Sequence, residues 1–149
     1  MESMKESTKE RDYSATPTWK KLGIREGARV LIQGAPEGFD RDLVAKAPLP
    51  AAVEFTSRAT RGLDVALLFT TERSVLVRRF AVLARALDPA GRLWVAWPKK
   101  ASAVATDLDF ALVQEHGLAT GLVDNKTASI TDVFQGCQFV YRLKDRPPR

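Results

Sequence analysis

Two lysines and two hydroxyls follow an apolar run at residues 93–97, which is typical of a buried strand. Lys99 and Lys100 come directly after it, and Ser102 and Thr106 stand just before a predicted helix. Ammonium groups, hydroxyls and backbone amides at a helix start are donors that can hold an anion. We therefore predict an anion-binding site at these four residues. The alternative is a solvated loop whose hydroxyls only cap the chain.

A second candidate site is a turn after the first predicted strand, in which Gly34 and Gly38 enclose Pro36 and Glu37. Pro36 suits the first position of a helix, and Glu37 places negative charge near the positive end of the helix dipole. We favour a structural turn that opens a short helix. The alternative is a cofactor loop of Gly34, Glu37 and Gly38, in which the carboxylate would contact a positively charged group.

Other residue types that support catalysis are scattered. Cys137 precedes an apolar run, so we expect a buried and inert thiol. His116 is the only histidine, and the acidic residues show no spacing typical of a metal site or an acid–base pair. Glu54 follows Gly34 by about twenty residues, as a ribose-binding acid does, but it stands inside its predicted strand. The sequence therefore assigns no catalytic residue and no metal.

Composition indicates one cytoplasmic domain. The chain has 149 residues, is 45% hydrophobic and contains one cysteine, and no apolar run approaches the roughly 18 residues of a membrane span. We divide it into a disordered leader at residues 1–12, a domain at 13–144 and a basic tail at 145–149. The net charge of +5 permits a nucleic-acid partner, but the basic residues lie in scattered pairs without interleaved aromatic residues, which argues against one.

The predicted elements that position both candidate sites alternate between strand and helix. Apolar runs predict buried strands at residues 29–33, 64–69 and 92–97, and an edge strand at 53–56 whose direction stays open. A short helix or turn is predicted within residues 16–24, and helices are predicted from 36 to about 46 and from Thr106 to about His116, where Gly117 ends the helix. Another helix is predicted after 70 or 71, with an apolar stripe of Leu76, Phe80, Leu83 and Leu87. Strands at 122–130 and 138–143, with a turn at 132–136, predict a closing antiparallel hairpin. We expect Trp94 and Trp97 to share one face of their strand.

These elements predict an α/β domain whose mostly parallel sheet ends in the hairpin. Both candidate sites are expected at the carboxyl edge of that sheet. Residues 63–94, with the phrases LDV and LDPAGRLW, resemble the fourth and fifth strands of class I S-adenosylmethionine-dependent methyltransferases and the helix between them. This resemblance implies a small, shortened Rossmann-like sandwich of three layers. It covers only about a third of the chain and is weakly specific for activity.

A second resemblance spans nearly the whole chain. The phrases KLGI at 21–24, GAPEGF at 34–39, WPKKAS at 97–102 and GLVD at 121–124 look like the motifs of a bacterial family known as domain of unknown function 3052. That family has no assigned activity. The resemblance therefore implies a bacterial source and a shared fold, and it carries no catalytic residue across.

Three functions remain open on this basis. Methyltransferases of this class usually have three closely spaced small residues in the first turn, whereas this chain keeps only Gly34 and Gly38. Our first expectation is therefore a non-catalytic module that needs no cofactor and binds a small anionic ligand or a protein partner. The second is an S-adenosylmethionine-dependent methyltransferase, with the Gly34 turn at the cofactor and Lys99 or Lys100 at the acceptor. The third is a nucleic-acid accessory protein that uses the basic tail and the loop of Lys99 and Lys100. The oligomeric state stays open.

Overall fold

The computed structural model describes residues 15–146 and contains a six-stranded sheet with helices on both faces. The strands are β1 (Arg29–Gln33), β2 (Glu54–Phe55), β3 (Leu63–Phe69), β4 (Leu87–Pro98), β5 (Val123–Ser129) and β6 (Phe134–Val140), and the helices are α1 (Thr18–Leu22), α2 (Phe39–Leu43), α3 (Arg73–Ala86) and α4 (Phe110–Thr120). The predicted leader at residues 1–12 lies outside the described residues.

The sheet confirms the predicted fold class. Its order is β2-β1-β3-β4-β6-β5. The first four strands in this order are parallel, and β6 runs antiparallel to both β4 and β5. The longest helix, α3, has 14 residues, and no helix within residues 15–146 combines the length and the apolar character of a membrane span.

The edge strand β2, whose direction the sequence left open, is parallel to β1. It has two residues, and its second residue, Phe55, pairs with Val30. On the other side of β1, Val65 of β3 pairs with the same Val30. Phe55 and Val65 both stand opposite Val30, so the chain leaves β2 and enters β3 at nearly the same level along β1. Residues 56–62 can therefore cross β1 without the helix that usually joins parallel strands.

One face of the sheet packs against the two long helices, α3 and α4. Phe80 of α3 is fully buried, and its ring meets the ring of Phe139 in β6 edge to face, with 5.2 Å between the ring centres. The predicted apolar stripe of α3 is confirmed, since Leu76, Phe80 and Leu83 belong to the core on this face. Burial of these side chains supplies the main favourable term for folding.

The opposite face packs against the two short helices, α1 and α2, which have five residues each. Trp94 faces this side and donates a hydrogen bond from its indole nitrogen to the carbonyl oxygen of Leu22, at 3.0 Å. Trp97 packs instead on the side of α3 and α4. The expectation of a shared face is wrong because the two residues are three positions apart, and side chains alternate along a strand.

Among the boundaries that were predicted wrongly, the end of α4 and the start of β6 differ because a glycine serves packing rather than a turn. The helix α4 begins at Phe110 rather than Thr106, with Asp109 as its cap, and it continues through Gly117, where a side chain would overlap the ring of Phe139. Strand β6 begins at Phe134, so Gly136 lies inside the strand. A side chain at Gly136 would press against Ile130 and Trp94.

Candidate functional site

The turn after β1 lies where the strand order of the sheet reverses. The chain moves from β1 to β2 in one direction and returns to β3 on the other side of β1. In open α/β sheets, ligands bind in the crevice outside the carboxyl ends of the strands at such a reversal. Gly34 opens the turn with a φ of +74°, and a side chain there would overlap the carbonyl oxygen of Phe69 at the end of β3. Glycine is therefore required at this position by both backbone conformation and close approach.

The rest of the turn leads into α2. The helix begins at Phe39 rather than at Pro36, because Gly38 takes the left-handed conformation, with a φ of +87°, and precedes the first helical residue. Phe39 is buried, and its ring packs edge to face on that of Phe69, with 4.9 Å between the ring centres. The Glu37 side chain is exposed between the two glycines. Gly34, Glu37 and Gly38 thus border one turn, whose position is fixed by the contacts of Gly34 and Phe39.

A cavity of about 370 Å³ lies between α2 and the β1–β2 edge of the sheet. Its walls are seven apolar residues and one carboxylate: Ile32, Ala35, Phe39, Leu43, Val44, Leu49, Phe55 and Asp40. Apolar clefts of this size with a few polar groups are typical of small-molecule sites. Sequence reasoning missed Asp40, because its only local signal is a position in the first turn of a short helix.

Glu54, the candidate ribose-binding acid, does not line this cavity, although the next residue, Phe55, does. It pairs with Arg29, the first residue of β1, and therefore stands near the amino end of that strand. Its carboxylate accepts a hydrogen bond from the Arg29 guanidinium at 3.4 Å, and its side chain is 66% exposed. Glu54 therefore serves as a surface ion-pair partner at the sheet edge.

The four residues of the predicted anion site do not converge on one point. The Ser102 hydroxyl donates to the carbonyl oxygen of Lys99 at 2.7 Å, and the Thr106 hydroxyl donates to the carbonyl oxygen of Thr71 at 2.6 Å. Both hydroxyls thus satisfy the backbone of the loop after β4. The Lys99 ammonium reaches towards β5, where it donates to the Ser129 hydroxyl at 2.7 Å, and Lys100 is exposed.

Neither the cysteine nor the histidine belongs to the carboxyl edge. Burial, and after it the charge of Asp124, raises the pKa of the Cys137 thiol to about 12. This confirms the inert thiol, since the thiolate is the reactive form. His116 lies between α3 and α4, where burial and then the charge of Arg73 lower its pKa. Within residues 15–146, no group of histidine, cysteine and acidic side chains is arranged to hold a metal ion.

A larger cavity, of about 410 Å³, lies at the opposite end of the sheet. Its lining includes five charged residues: Arg25, Glu26, Asp64, Asp88 and Arg92. Asp64 accepts a hydrogen bond from the backbone amide of Arg29 at 2.8 Å, and Asp88 accepts one from the amide of Ala90 at 3.0 Å. These carboxylates thus stabilise the entry to the strands, and this cavity faces away from the ligand edge of an α/β sheet.

Comparisons with solved structures show which fold this is. A TehB-like S-adenosylmethionine-dependent methyltransferase from Corynebacterium glutamicum matches with a TM-score of 0.51 at 13% identity, over 94% of this chain and 98% of that one. The magnesium protoporphyrin IX methyltransferase from Synechocystis, solved with bound S-adenosylhomocysteine, matches with a TM-score of 0.54 at 10% identity, over 90% and 83% of the two chains. The fold is that of the S-adenosylmethionine-dependent methyltransferases.

A third structure extends this likeness. An O-methyltransferase from neocarzinostatin biosynthesis, solved with S-adenosylmethionine and 2-hydroxy-5-methyl naphthoic acid, matches with a TM-score of 0.61 at 12% identity, over 88% of this chain and 52% of that one. No family model matches the chain. No curated protein matches it either.

These structures overturn our first expectation from the sequence. We expected a non-catalytic module that needs no cofactor, whereas the three similar structures described above are methyltransferases, two of them solved with S-adenosylmethionine or S-adenosylhomocysteine bound. The sequence argument failed because it required three closely spaced small residues in the turn after β1. At identities of 10–13% the likeness itself shows the fold, so function must be argued from the site.

Proposed function

We propose that this protein binds S-adenosylmethionine at the carboxyl edge of β1 and acts as a methyltransferase. The observation that carries the proposal is the apolar cavity beside the Gly34 turn, at the reversal of strand order. The second cavity lies at the other end of the sheet, where ligands of α/β folds do not usually bind. The fold likeness to methyltransferases supports the same assignment.

The residues at this edge fit the chemical parts of the cofactor. The walls formed by Ile32, Leu43 and Phe55 offer apolar contact for an adenine ring. The Asp40 carboxylate on the same cavity can accept hydrogen bonds from the two ribose hydroxyls. Glu37, exposed on the turn, carries the charge needed to pair with the ammonium or the sulfonium of the cofactor. Neither acid suits a ligand with phosphate groups, because like charges repel.

The chain's own part in the reaction is to bind and orient. S-adenosylmethionine supplies a methyl group on a sulfonium, which a nucleophilic atom of the acceptor takes directly. Gly34 lets the backbone of the turn pass close over the end of β3. The rings of Phe39, Phe69 and Phe134 form a row along this edge, with 4.9 Å and 5.1 Å between successive ring centres. Such a row keeps water from one side of the reacting groups and strengthens the electrostatic contacts beside it.

Isothermal titration calorimetry with S-adenosylmethionine and S-adenosylhomocysteine tests the proposal, with ATP as a comparison ligand. We expect saturable binding of both methionine ligands and weaker binding of ATP, which carries phosphates. Asp40→Asn should weaken the binding roughly tenfold, the effect of losing about 1.4 kcal/mol of hydrogen bonding to a charged group.

Asp42→Asn is the matched control, because Asp42 lies exposed on the same helix and does not line the cavity. It should bind both ligands as the unchanged chain does. No binding of either methionine ligand, or equal effects of the two substitutions, would contradict the proposal.

We further propose that the chain is a bacterial member of the family known as domain of unknown function 3052 and works in the cytoplasm. In support, two phrases that carry that resemblance, GAPEGF and WPKKAS, follow β1 and β4 at the same edge of the sheet. Measuring S-adenosylhomocysteine binding in a second protein with both phrases tests this point.

A further inference from the structure

Three ammonium groups gather on the face of the sheet covered by α1 and α2. Lys21 of α1 donates to the backbone carbonyl oxygen of Ser129 at 3.2 Å, and Lys99 donates to the hydroxyl of the same serine at 2.7 Å. Lys126 of β5 donates to the backbone carbonyl oxygen of Lys21 at 3.1 Å. These contacts join a helix, the end of β4 and the hairpin strand, so the group is produced by the fold. We call Lys21, Lys99 and Lys126 the lysine cluster.

Among residues 15–146, no carboxylate forms an ion pair with the lysine cluster. The acceptors of its hydrogen bonds are two carbonyl oxygens and a hydroxyl. The ion pairs found within residues 15–146 are Arg29–Glu54 and Arg142–Asp145, which lie elsewhere. Burial, and then the charges of Lys46, Lys99 and Lys126, lower the pKa of Lys21. Folding therefore brings the positive charges of the three lysines close together. Their repulsion is unfavourable unless an anion binds beside them.

The lysine cluster lies on the same face as the apolar cavity. Lys46 is close to both the cluster and the cavity. Its charge lowers the pKa of Lys21, and it stands two residues after Val44, which lines the cavity. Phe134 of the aromatic row is the first residue of β6, and the carbonyl oxygen of the preceding Val133 accepts a hydrogen bond from the Lys99 amide at 2.8 Å. Phe39 and Phe69 are buried, and Phe134 is the ring of the row that is partly exposed. A molecule in contact with Phe134 can therefore reach Lys99 with a charged end.

We infer that the lysine cluster binds the anionic group of a small methyl acceptor, a phosphate or a carboxylate, while the rest of the acceptor lies against the partly exposed ring of Phe134. Each ammonium has three N–H donors and uses one of them in the contact described above, so two donors remain for the ligand. The role as acceptor site rests on the proposed methyltransferase function, whereas the binding of an anion does not.

The features of the cluster favour a small molecule over a nucleic acid. Proteins that bind single strands place aromatic side chains where successive bases can stack on them. The aromatic residue beneath the cluster is Trp94, which has the Lys126 ammonium 5.8 Å from its ring centre and no exposed surface. Lys21 and Lys99 both contact Ser129, so these charges are compact rather than spread along a groove.

Titrations with inorganic pyrophosphate and with citrate test the inference and separate the two kinds of anionic group. We expect the unchanged chain to bind one of them more tightly than the other, and Lys21→Ala and Lys99→Ala each to weaken that binding about tenfold, as the loss of one charged hydrogen bond predicts. Lys99→Gln, which keeps a hydrogen-bond donor but not the charge, should weaken it similarly. Lys20→Ala is the control, because Lys20 is exposed on the same helix and lies outside the cluster.

S-adenosylhomocysteine binding to the same variants keeps the two proposals apart. Retention of S-adenosylhomocysteine binding together with loss of anion binding in Lys99→Ala supports both. If the unchanged chain binds the anion through the cluster but does not bind S-adenosylhomocysteine, the methyltransferase proposal and the acceptor role fail together. If anion binding is equal in all variants, or if a single-stranded oligonucleotide binds more tightly than either anion and loses its affinity steeply with salt, the small-acceptor inference fails alone.

Discussion

The two faces of the sheet share their strands but differ in the helices that cover them. On one face α3 and α4, with 14 and 11 residues, bury a continuous core. On the other, α1 and α2 have five residues each. The short helices cannot cover the whole face, and the apolar cavity lies beside one of them while the lysine cluster lies beside the other. Both faces have a buried core, but within residues 15–146 only the face of the short helices carries an apolar cavity and a group of ammonium charges at the carboxyl edge of the sheet.

Phe80→Ala tests the stabilising face and should have the largest effect. The ring is fully buried between α3 and the sheet and contacts both Phe139 and His116 edge to face. Removing it leaves a cavity that typically costs about 3–5 kcal/mol of stability. Denaturant unfolding measures the loss. Phe55→Ala, at an edge position that is 47% exposed, should cost less than ~1 kcal/mol, and equal losses would contradict the difference between the faces.

Gly34→Ala tests the ligand face and should abolish S-adenosylhomocysteine binding. The new methyl group would overlap the carbonyl oxygen of Phe69 and force the turn away from the end of β3. Gly62→Ala is a matched control, because Gly62 also has a positive φ, +87°, but nothing stands within 4 Å of the added atom. Both variants carry backbone strain of about 1 kcal/mol or more, so calorimetry that shows equal binding in the two would refute the role of the turn.

Alkylation of the Cys137 thiol at raised pH tests whether the face covered by α3 and α4 stays closed in the folded protein. Because burial raises the pKa of this thiol from 9.0 to about 12, alkylation by iodoacetamide at pH 9 should be slow in the folded protein and fast in urea. The unfolded chain loses this proton first as pH rises, so the contribution of Cys137 to stability falls above pH 9 and is constant below it. Cys137→Ala should remove that part of the pH dependence, and fast alkylation of the folded chain would show that this face opens readily.

Glu54→Gln should have the smallest effect. The Arg29–Glu54 pair is exposed on both sides, and such pairs contribute about 0–1 kcal/mol. S-adenosylhomocysteine binding should not change, because Glu54 lies at the amino end of β1 and does not line the cavity. A marked loss of binding in this variant, measured by calorimetry, would mean that the ribose lies at Glu54 and not at Asp40.

Sequence reasoning predicted the parts of the fold that depend on local patterns. The apolar runs of β1 and β3 and the stripe of Leu76, Phe80 and Leu83 were found because periodicity reports burial directly. The direction of β2 and the start of β6 were not found. Both depend on pairing with distant residues, as when Gly136 fits against Trp94.

The same distinction divides the site. Gly34, Gly38 and Lys99 could be named as candidates from the sequence because they come after predicted strands, and their binding roles stay predictions. Asp40 and the approach of Lys21 to Ser129 were missed, since each depends on how a short helix packs against residues that are far away in the chain. The expectation that the chain needs no cofactor depended on the turn motif alone, and the fold likeness to methyltransferases contradicts it.

An NMR titration with S-adenosylhomocysteine that follows the backbone amides tests the central claim most directly. We expect saturable changes in the amide chemical shifts of Gly34, Ala35, Gly38 and Asp40, around the turn and the cavity at the carboxyl edge. The amide of Gly91, near the amino-end cavity, should not change. Absence of any saturable change, or changes confined to Gly27, Ala90 and their neighbours at the amino end, would contradict it.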